Sequence, residues 1–206
     1  MGVLEHKSRA RCFYRYLSKV YDRVNTFVFT DPMRAEALRM LDLDGDEEVL
    51  DVGCGTGFGT KGLVAKADSV FGLDQSPHQL AGARDKLEGA SVSFSLGDAE
   101  NLPFENDAFD AAWSSGSIEY WPNPVQGLRE MHRVTRPGGR VLVVGPNYPA
   151  SAIGQRLADA IMLFYDVEEA ERMFEDAGFE ETTHRTLSSR YKSDLAIASL
   201  GRVPVD

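Results

Sequence analysis

Cysteine is nearly absent: Cys12 and Cys54 are the only two in 206 residues, and histidine occurs only four times. A disulfide framework or a zinc site needs such residues paired or clustered, so both cysteines are expected as reduced thiols and no metal is expected. Long apolar runs are missing as well. No stretch approaches the roughly 18 residues needed to cross a bilayer, and Met1 to Arg11 carries charges where a signal peptide has its apolar region. The expected location is therefore cytoplasmic, with at most peripheral membrane contact. Basic charge is scarce: 22 Lys+Arg stand against 32 Asp+Glu, a net of −10. That balance removes the electrostatic term that dominates nucleic-acid binding, so the expected partner is a small molecule and not nucleic acid. Only 6 of the 22 basic residues are lysines, and composition alone fits both a salt-adapted surface and a merely acidic one. Internal repeats, low-complexity tracts and Pro/Gly/Ser-rich linkers are lacking too, which points to one domain.

What is present is enough apolar residue, 43%, to bury a core. Helical spacing of Phe13, Tyr14, Leu17, Val20, Tyr21, Val24 and Phe27, then Asp31-Pro32 opening a second helix, predicts a helical cap over 1–43. Strand and helix patterns then alternate over 44–145. Strands are expected at 48–52, 69–73, 91–96, 109–114 and 140–145, and helices from the loop 53–59 to about 66, at 76–87 and at 125–135. A turn at Arg136-Pro137-Gly138-Gly139 is expected to lead into the fifth strand. Over 146–206 an apolar helix (152–165), an acidic helix (167–177) and two strands near 179–187 and 194–200 follow. Strands separated by helices predict an α/β, Rossmann-like fold with a mostly parallel seven-stranded sheet covered on both faces and ending in an antiparallel pair.

The loop Gly53-Cys54-Gly55-Thr56-Gly57 follows a buried strand and opens a helix, where backbone approaches a ligand closely and free amides are presented. A dinucleotide pattern can be drawn through Gly57, Gly59 and Gly62, but it starts several residues beyond the strand, where the helix is already running. Asp51 lies at the strand end itself, and its carboxylate suits a ligand bearing an ammonium group, such as S-adenosylmethionine. Asp74 closes the second strand, where an acid accepts from ribose hydroxyls, a role that NAD would also ask of it. Asp98 follows the third strand, where its side chain can accept from an adenine amino group while the Ala99 amide donates to the ring. Three acids at three successive strand ends form the discriminating set; the bland alternative is that they cap helices or end strands.

This set resembles that of class I S-adenosylmethionine-dependent methyltransferases, with counterparts for the glycine loop, the ribose acid, the adenine aspartate and the Arg-Pro-Gly-Gly turn. The resemblance assigns Asp51, Gly53, Cys54, Gly55, Gly57, Asp74, Gln75, Asp98, Ala99 and Ser115 to the cofactor, with S-adenosylhomocysteine as product. Over nearly the whole chain, Phe13 to Ser18, Val20-Tyr21-Asp22, Leu73 to Leu80, Gly97 to Phe104, Gly116 to Pro122 and Gly145-Pro146 with Tyr148-Pro149 are similar to the plant and archaeal-type 2-methyl-6-phytylbenzoquinol methyltransferases. That similarity implies methylation of a ring carbon of a prenylated quinol in quinone biosynthesis, of menaquinone or benzoquinol type. The family pattern includes a membrane-anchoring tail, which is not recognised here, and Cys54 replaces a family glycine.

Ring-carbon methylation needs an electron-rich quinol, and a group that takes its phenolic proton assists. Glu119 is the first candidate, beside Tyr120 and Trp121, whose rings can stack on a flat acceptor; the alternative is a helix-capping Glu119 and a core Trp121. Tyr14 and Tyr21 lie in the segment that covers the cofactor in this family, with plain packing as the alternative. The apolar face with Leu157, Ile161 and Phe164 is expected to form a lid over a hydrophobic acceptor or to pack on the sheet. Methylation of another small phenol or lipid remains open, as does a non-catalytic cofactor-binding protein.

Overall fold

The computed structural model describes residues 30–147, 165–188 and 194–205. Helix α1 (Asp31–Leu41) starts with Pro32 in its first turn, where the missing N–H is no loss, and stops at Asp42 in the left-handed region. The earlier part of the expected cap, with Tyr14 and Tyr21, lies outside the described residues, as does the 152–165 helix up to Tyr165, with Leu157, Ile161 and Phe164.

Strands and helices then alternate: β1 (Glu48–Val52), α2 (Phe58–Val64), β2 (Ser69–Asp74), α3 (Pro77–Lys86), β3 (Val92–Leu96), β4 (Phe109–Ser115), α4 (Pro124–Val134) and β5 (Thr135–Pro146). The chain ends with α5 (Val167–Ala177), β6 (Glu180–Leu187) and β7 (Ala196–Arg202). The sheet order is β3-β2-β1-β4-β5-β7-β6. The first five strands run parallel, while β7 is antiparallel to both β5 and β6.

Period-2 alternation divides the core between the two faces. Leu50 and Val52 of β1 join α4 and α5 through Leu128, Met131 and Phe174. Val49 faces the other way, into a cluster with Met33, Ala37 and Leu41 of α1 and Leu63 of α2. Asp51 shares the Val49 face, which turns its carboxylate toward α2. Local signals set the ends of α5: Asp166 and Glu169 form a reciprocal capping box, and Gly178 takes the left-handed position after the helix.

One expectation needs correction. Arg136-Pro137-Gly138-Gly139 is not a turn ahead of the fifth strand but an irregular stretch inside β5, which begins at Thr135. Thr135 pairs with Phe109 and Arg140 with Ala111, so extra residues are accommodated between two ladder positions. Gly138, at φ +78°, absorbs the irregularity, and its N–H donates to the Val203 carbonyl at 2.8 Å. The Thr135–Phe109 pairing ahead of the segment, the Arg140 pairings after it, and the bonds of Gly138 and Gly139 with Val203 hold the segment at the sheet, which local turn chemistry does not foresee.

Candidate active site

The carboxyl ends of β1, β2, β3 and β4 surround a cavity of about 250 Å³ lined on one side by the 53–59 loop and on the other by Tyr120, Trp121 and Pro122. Open parallel sheets bind ligands at this end, where loops part on either side of a strand. Gly53, Gly55 and Gly57 all have positive φ (72°, 55° and 85°), so the alternating glycines are required by backbone conformation. A Cβ on Gly53 would also lie 1.9 Å from Ser117 Oγ, and one on Gly57 would lie 3.0 Å from Leu87 Cδ1. The loop is thereby kept low, with its backbone forming the cavity floor.

Two strand-end acids reach the cavity wall. Asp74 Oδ2 accepts from the Gly55 N–H at 2.9 Å and Oδ1 from the Ser76 N–H at 2.8 Å, so this carboxylate ties the glycine loop to the start of α3. Burial raises the Asp74 pKa against these two bonds, which lower it. Each oxygen retains a second lone pair for a ligand hydroxyl. Asp98 Oδ1 accepts from the Glu100 N–H at 3.1 Å, and Asp98 and Ala99 both line the cavity, as do Gln75 and Ser115.

The loop after Asp98 is clamped from behind. Glu130 accepts from the Leu102 N–H at 2.8 Å and pairs with Arg133 through two bonds of 2.9 and 2.8 Å, while Arg133 donates to the carbonyls of Leu102 and Phe104. Such a fork-to-fork pair fixes geometry as well as charge. Glu100 adds a third tie by accepting from the Asn123 N–H at 2.7 Å.

Asp51 stands beneath the loop, not on its surface: it is 1% exposed and is not part of the cavity lining. Its Oδ2 accepts from Thr60 Oγ1 at 2.6 Å. Desolvation pushes its pKa up to about 7, partly opposed by the Thr60 hydrogen bond. Cys54 is a buried free thiol whose pKa burial drives well up, an environment in which thiolate chemistry is suppressed.

Residues Ile118–Tyr120 form a single 3₁₀ turn after β4. Tyr120 and Trp121 line the cavity, and the Trp121 indole N–H donates to Ser117 Oγ at 3.0 Å. Glu119 does not line the cavity. Its side chain is buried behind the wall, Oε2 has no hydrogen-bond partner among the described residues, and desolvation raises its pKa to about 7. The neighbouring Tyr165 hydroxyl is itself pushed up by burial and by the Glu119 charge. Sequence reasoning missed Thr60, which partners Asp51, and Ser117, which joins the two walls; a small polar residue gives no periodic signal.

An open α/β sheet of order 3-2-1-4-5-7-6 with a glycine loop after β1 and acids at the ends of β2 and β3 is the class I methyltransferase architecture. Residues 50–143 match the family model described as a methyltransferase domain. It is 44% identical over 192 residues to the chloroplastic 2-methyl-6-phytyl-1,4-hydroquinone methyltransferase of Arabidopsis thaliana, a match covering 91% of this chain and 57% of that protein. The chain thus spans little more than half the length of this relative. The demethylmenaquinone methyltransferase of Tropheryma whipplei is 28% identical over 214 residues, with 89% of each chain covered. Among solved structures, the complex between the Haloferax volcanii Trm112 methyltransferase activator and a methyltransferase contains a chain that superposes with a TM-score of 0.75 at 22% identity, covering 91% of this chain and 94% of that one. Among the described residues, no helix is long and apolar enough to cross a membrane.

Proposed function

We propose that this chain transfers the methyl group of S-adenosylmethionine to a ring carbon of a reduced, prenylated quinol of the benzoquinol or menaquinone type. The observation that carries the reading is one cavity whose floor is a glycine loop backed by strand-end acids and whose opposite wall is aromatic. The named activities of the plant and bacterial relatives support the acceptor class.

The residues fit the cofactor. In this reading Asp74 accepts from the ribose hydroxyls, Asp98 from the adenine amino group, and the Ala99 N–H donates to the ring, while Gln75 and Ser115 flank them. The positive-φ glycines let the backbone approach closely, and Asp51 supplies negative potential under the loop for a cation. When bound, S-adenosylmethionine supplies a methyl group already activated by its sulfonium. The protein's part is to hold an electron-rich carbon in line with that methyl. Trp121 and Tyr120 present aromatic surface to the acceptor ring. Glu119, whose pKa burial raises to about 7 behind that wall, is the group assigned in this reading to receive the phenolic proton. Sequence alone supports the further proposal that Tyr14 and Tyr21 contribute hydroxyls to the cofactor or the quinol oxygen and that Leu157, Ile161 and Phe164 meet the prenyl tail. A prenylated acceptor resides in a bilayer, so this reading adds peripheral membrane contact to the cytoplasmic location expected from the sequence.

A radiolabelled methyl-transfer assay with a panel of reduced and oxidised prenylquinones tests the proposal. Labelling of reduced acceptors alone is expected. Wild-type inactivity on every quinol, with turnover on another phenol or lipid, would overturn the acceptor class.

A further inference from the structure

Ser117 sits where the two halves of the cavity meet. Its Oγ lies against the Cα of Gly53, so close that a Cβ there would come within 1.9 Å of it, and it accepts the Trp121 indole N–H at 3.0 Å. Two glycines with positive φ create the position: Gly53 on the loop (72°) and Gly116 just before the serine (63°). The Gly116 N–H is anchored on the Val144 carbonyl at 2.9 Å, so the turn carrying Ser117 is fixed to the sheet. Trp121 is held on its far side by Gly127, where a Cβ would meet the indole ring at 2.5 Å.

A hydroxyl has one donor hydrogen and two acceptor lone pairs. Because an indole N–H can only donate, the contact with Trp121 uses a lone pair of Ser117 Oγ and leaves the hydroxyl hydrogen to seek an acceptor. Ser117 lines the cavity together with Gly53 and Trp121. The geometry points to Ser117 as the hydrogen-bond donor to a ring oxygen of the acceptor, with Trp121 fixing both the stacking plane and the direction of that hydroxyl. This inference rests on the quinol-methyltransferase reading and assigns it a specificity residue: flat rings with an oxygen at the correct edge are selected over flat rings without one. A donor at that oxygen also favours the phenolate that pushes electron density to the ring carbon.

The test compares two non-reacting ring analogues that differ only in a hydroxyl at the position of the quinol oxygen, with dissociation constants measured in the presence of S-adenosylhomocysteine. The wild type is expected to prefer the hydroxylated analogue about tenfold, the ordinary range for a buried hydrogen bond. Ser117→Ala is expected to lose that preference while its affinity for S-adenosylhomocysteine stays within twofold. Trp121→Phe retains the ring and the serine but removes the indole donor, and should fall between the two. Equal weakening of both analogues by Ser117→Ala would overturn the proposal by showing that the serine only supports Trp121. A tenfold loss of S-adenosylhomocysteine affinity with the preference intact would overturn it by placing the hydroxyl on the cofactor. A wild type that turns over no quinol defeats the parent reading instead, whereas normal wild-type turnover with an unchanged Ser117→Ala preference defeats this inference alone.

Discussion

Single carboxyls do different work according to how far water is removed from them. Asp74 is held by two backbone N–H bonds from separate loops, whereas Asp51 is held only by the hydroxyl and the backbone N–H of Thr60, and Glu119 has an oxygen with no partner among the described residues. The pKa of both Asp51 and Glu119 is raised by burial to about 7. A carboxyl whose folded pKa exceeds its unfolded value binds a proton in the folded state that the unfolded chain has released. Its stabilisation is full below the unfolded pKa and is lost as pH rises through the folded one. The ligand-free protein should therefore lose stability between about pH 4 and pH 7, by up to about 1.4 kcal/mol per pH unit for each such group. Urea titrations of Asp51→Asn and Glu119→Gln at several pH values check this: each should flatten the slope, and an unchanged slope in both would contradict the assignment. Affinity for a cationic cofactor should run the opposite way, rising toward pH 7.5 in the wild type but not in Asp51→Asn, as calorimetry would show. Asp74→Ala and Asp98→Ala should each weaken cofactor binding by about 1 to 3 kcal/mol, the cost of leaving a ligand donor unsatisfied.

At the scale of elements, the site depends on how loops are tied down. The 98–106 loop presents Asp98 and Ala99, but its fixity comes from Glu130 and Arg133 on α4, about 30 residues away in sequence. Arg133→Ala removes the donors to two loop carbonyls and should cost about 1 to 3 kcal/mol of stability. The thermal shift it produces should exceed that of Arg133→Lys. Strand β1, the glycine loop and helix α5 were legible in the sequence because each carries its own local signal: a short apolar run over 48–52, alternating glycines, and a run of acidic and apolar residues at helical spacing over 167–177. The Glu130–Arg133 clamp and the irregular start of β5 were not legible, since both arise from tertiary partners that no window of sequence contains. The orientation of Glu119 was not legible: a position after a strand end does not reveal which side of a 3₁₀ turn faces the cavity.

Over the whole molecule, the sheet order brings residues from the ends of four strands to one cavity, and this architecture was readable from the alternation of strands and helices. The direction of β7 followed from two short strands near the C-terminus, whereas the aromatic wall's link to the loop through Ser117 depends on the fold being complete. The net charge of −10 is a property at this scale too. If the acid excess is adaptive, the melting temperature should climb steadily up to molar KCl as self-repulsion is screened; indifference to KCl marks an ordinary acidic protein.

The central claim, methyl transfer to carbon on a reduced quinol, is tested most directly by supplying S-adenosylmethionine with an isotopically labelled methyl group together with a prenylated hydroquinone and locating the label by NMR. The account predicts a labelled methyl bonded to a ring carbon, formed from the reduced acceptor and absent with the oxidised one. A label found on a phenolic oxygen, or equal labelling of the oxidised quinone, would contradict it.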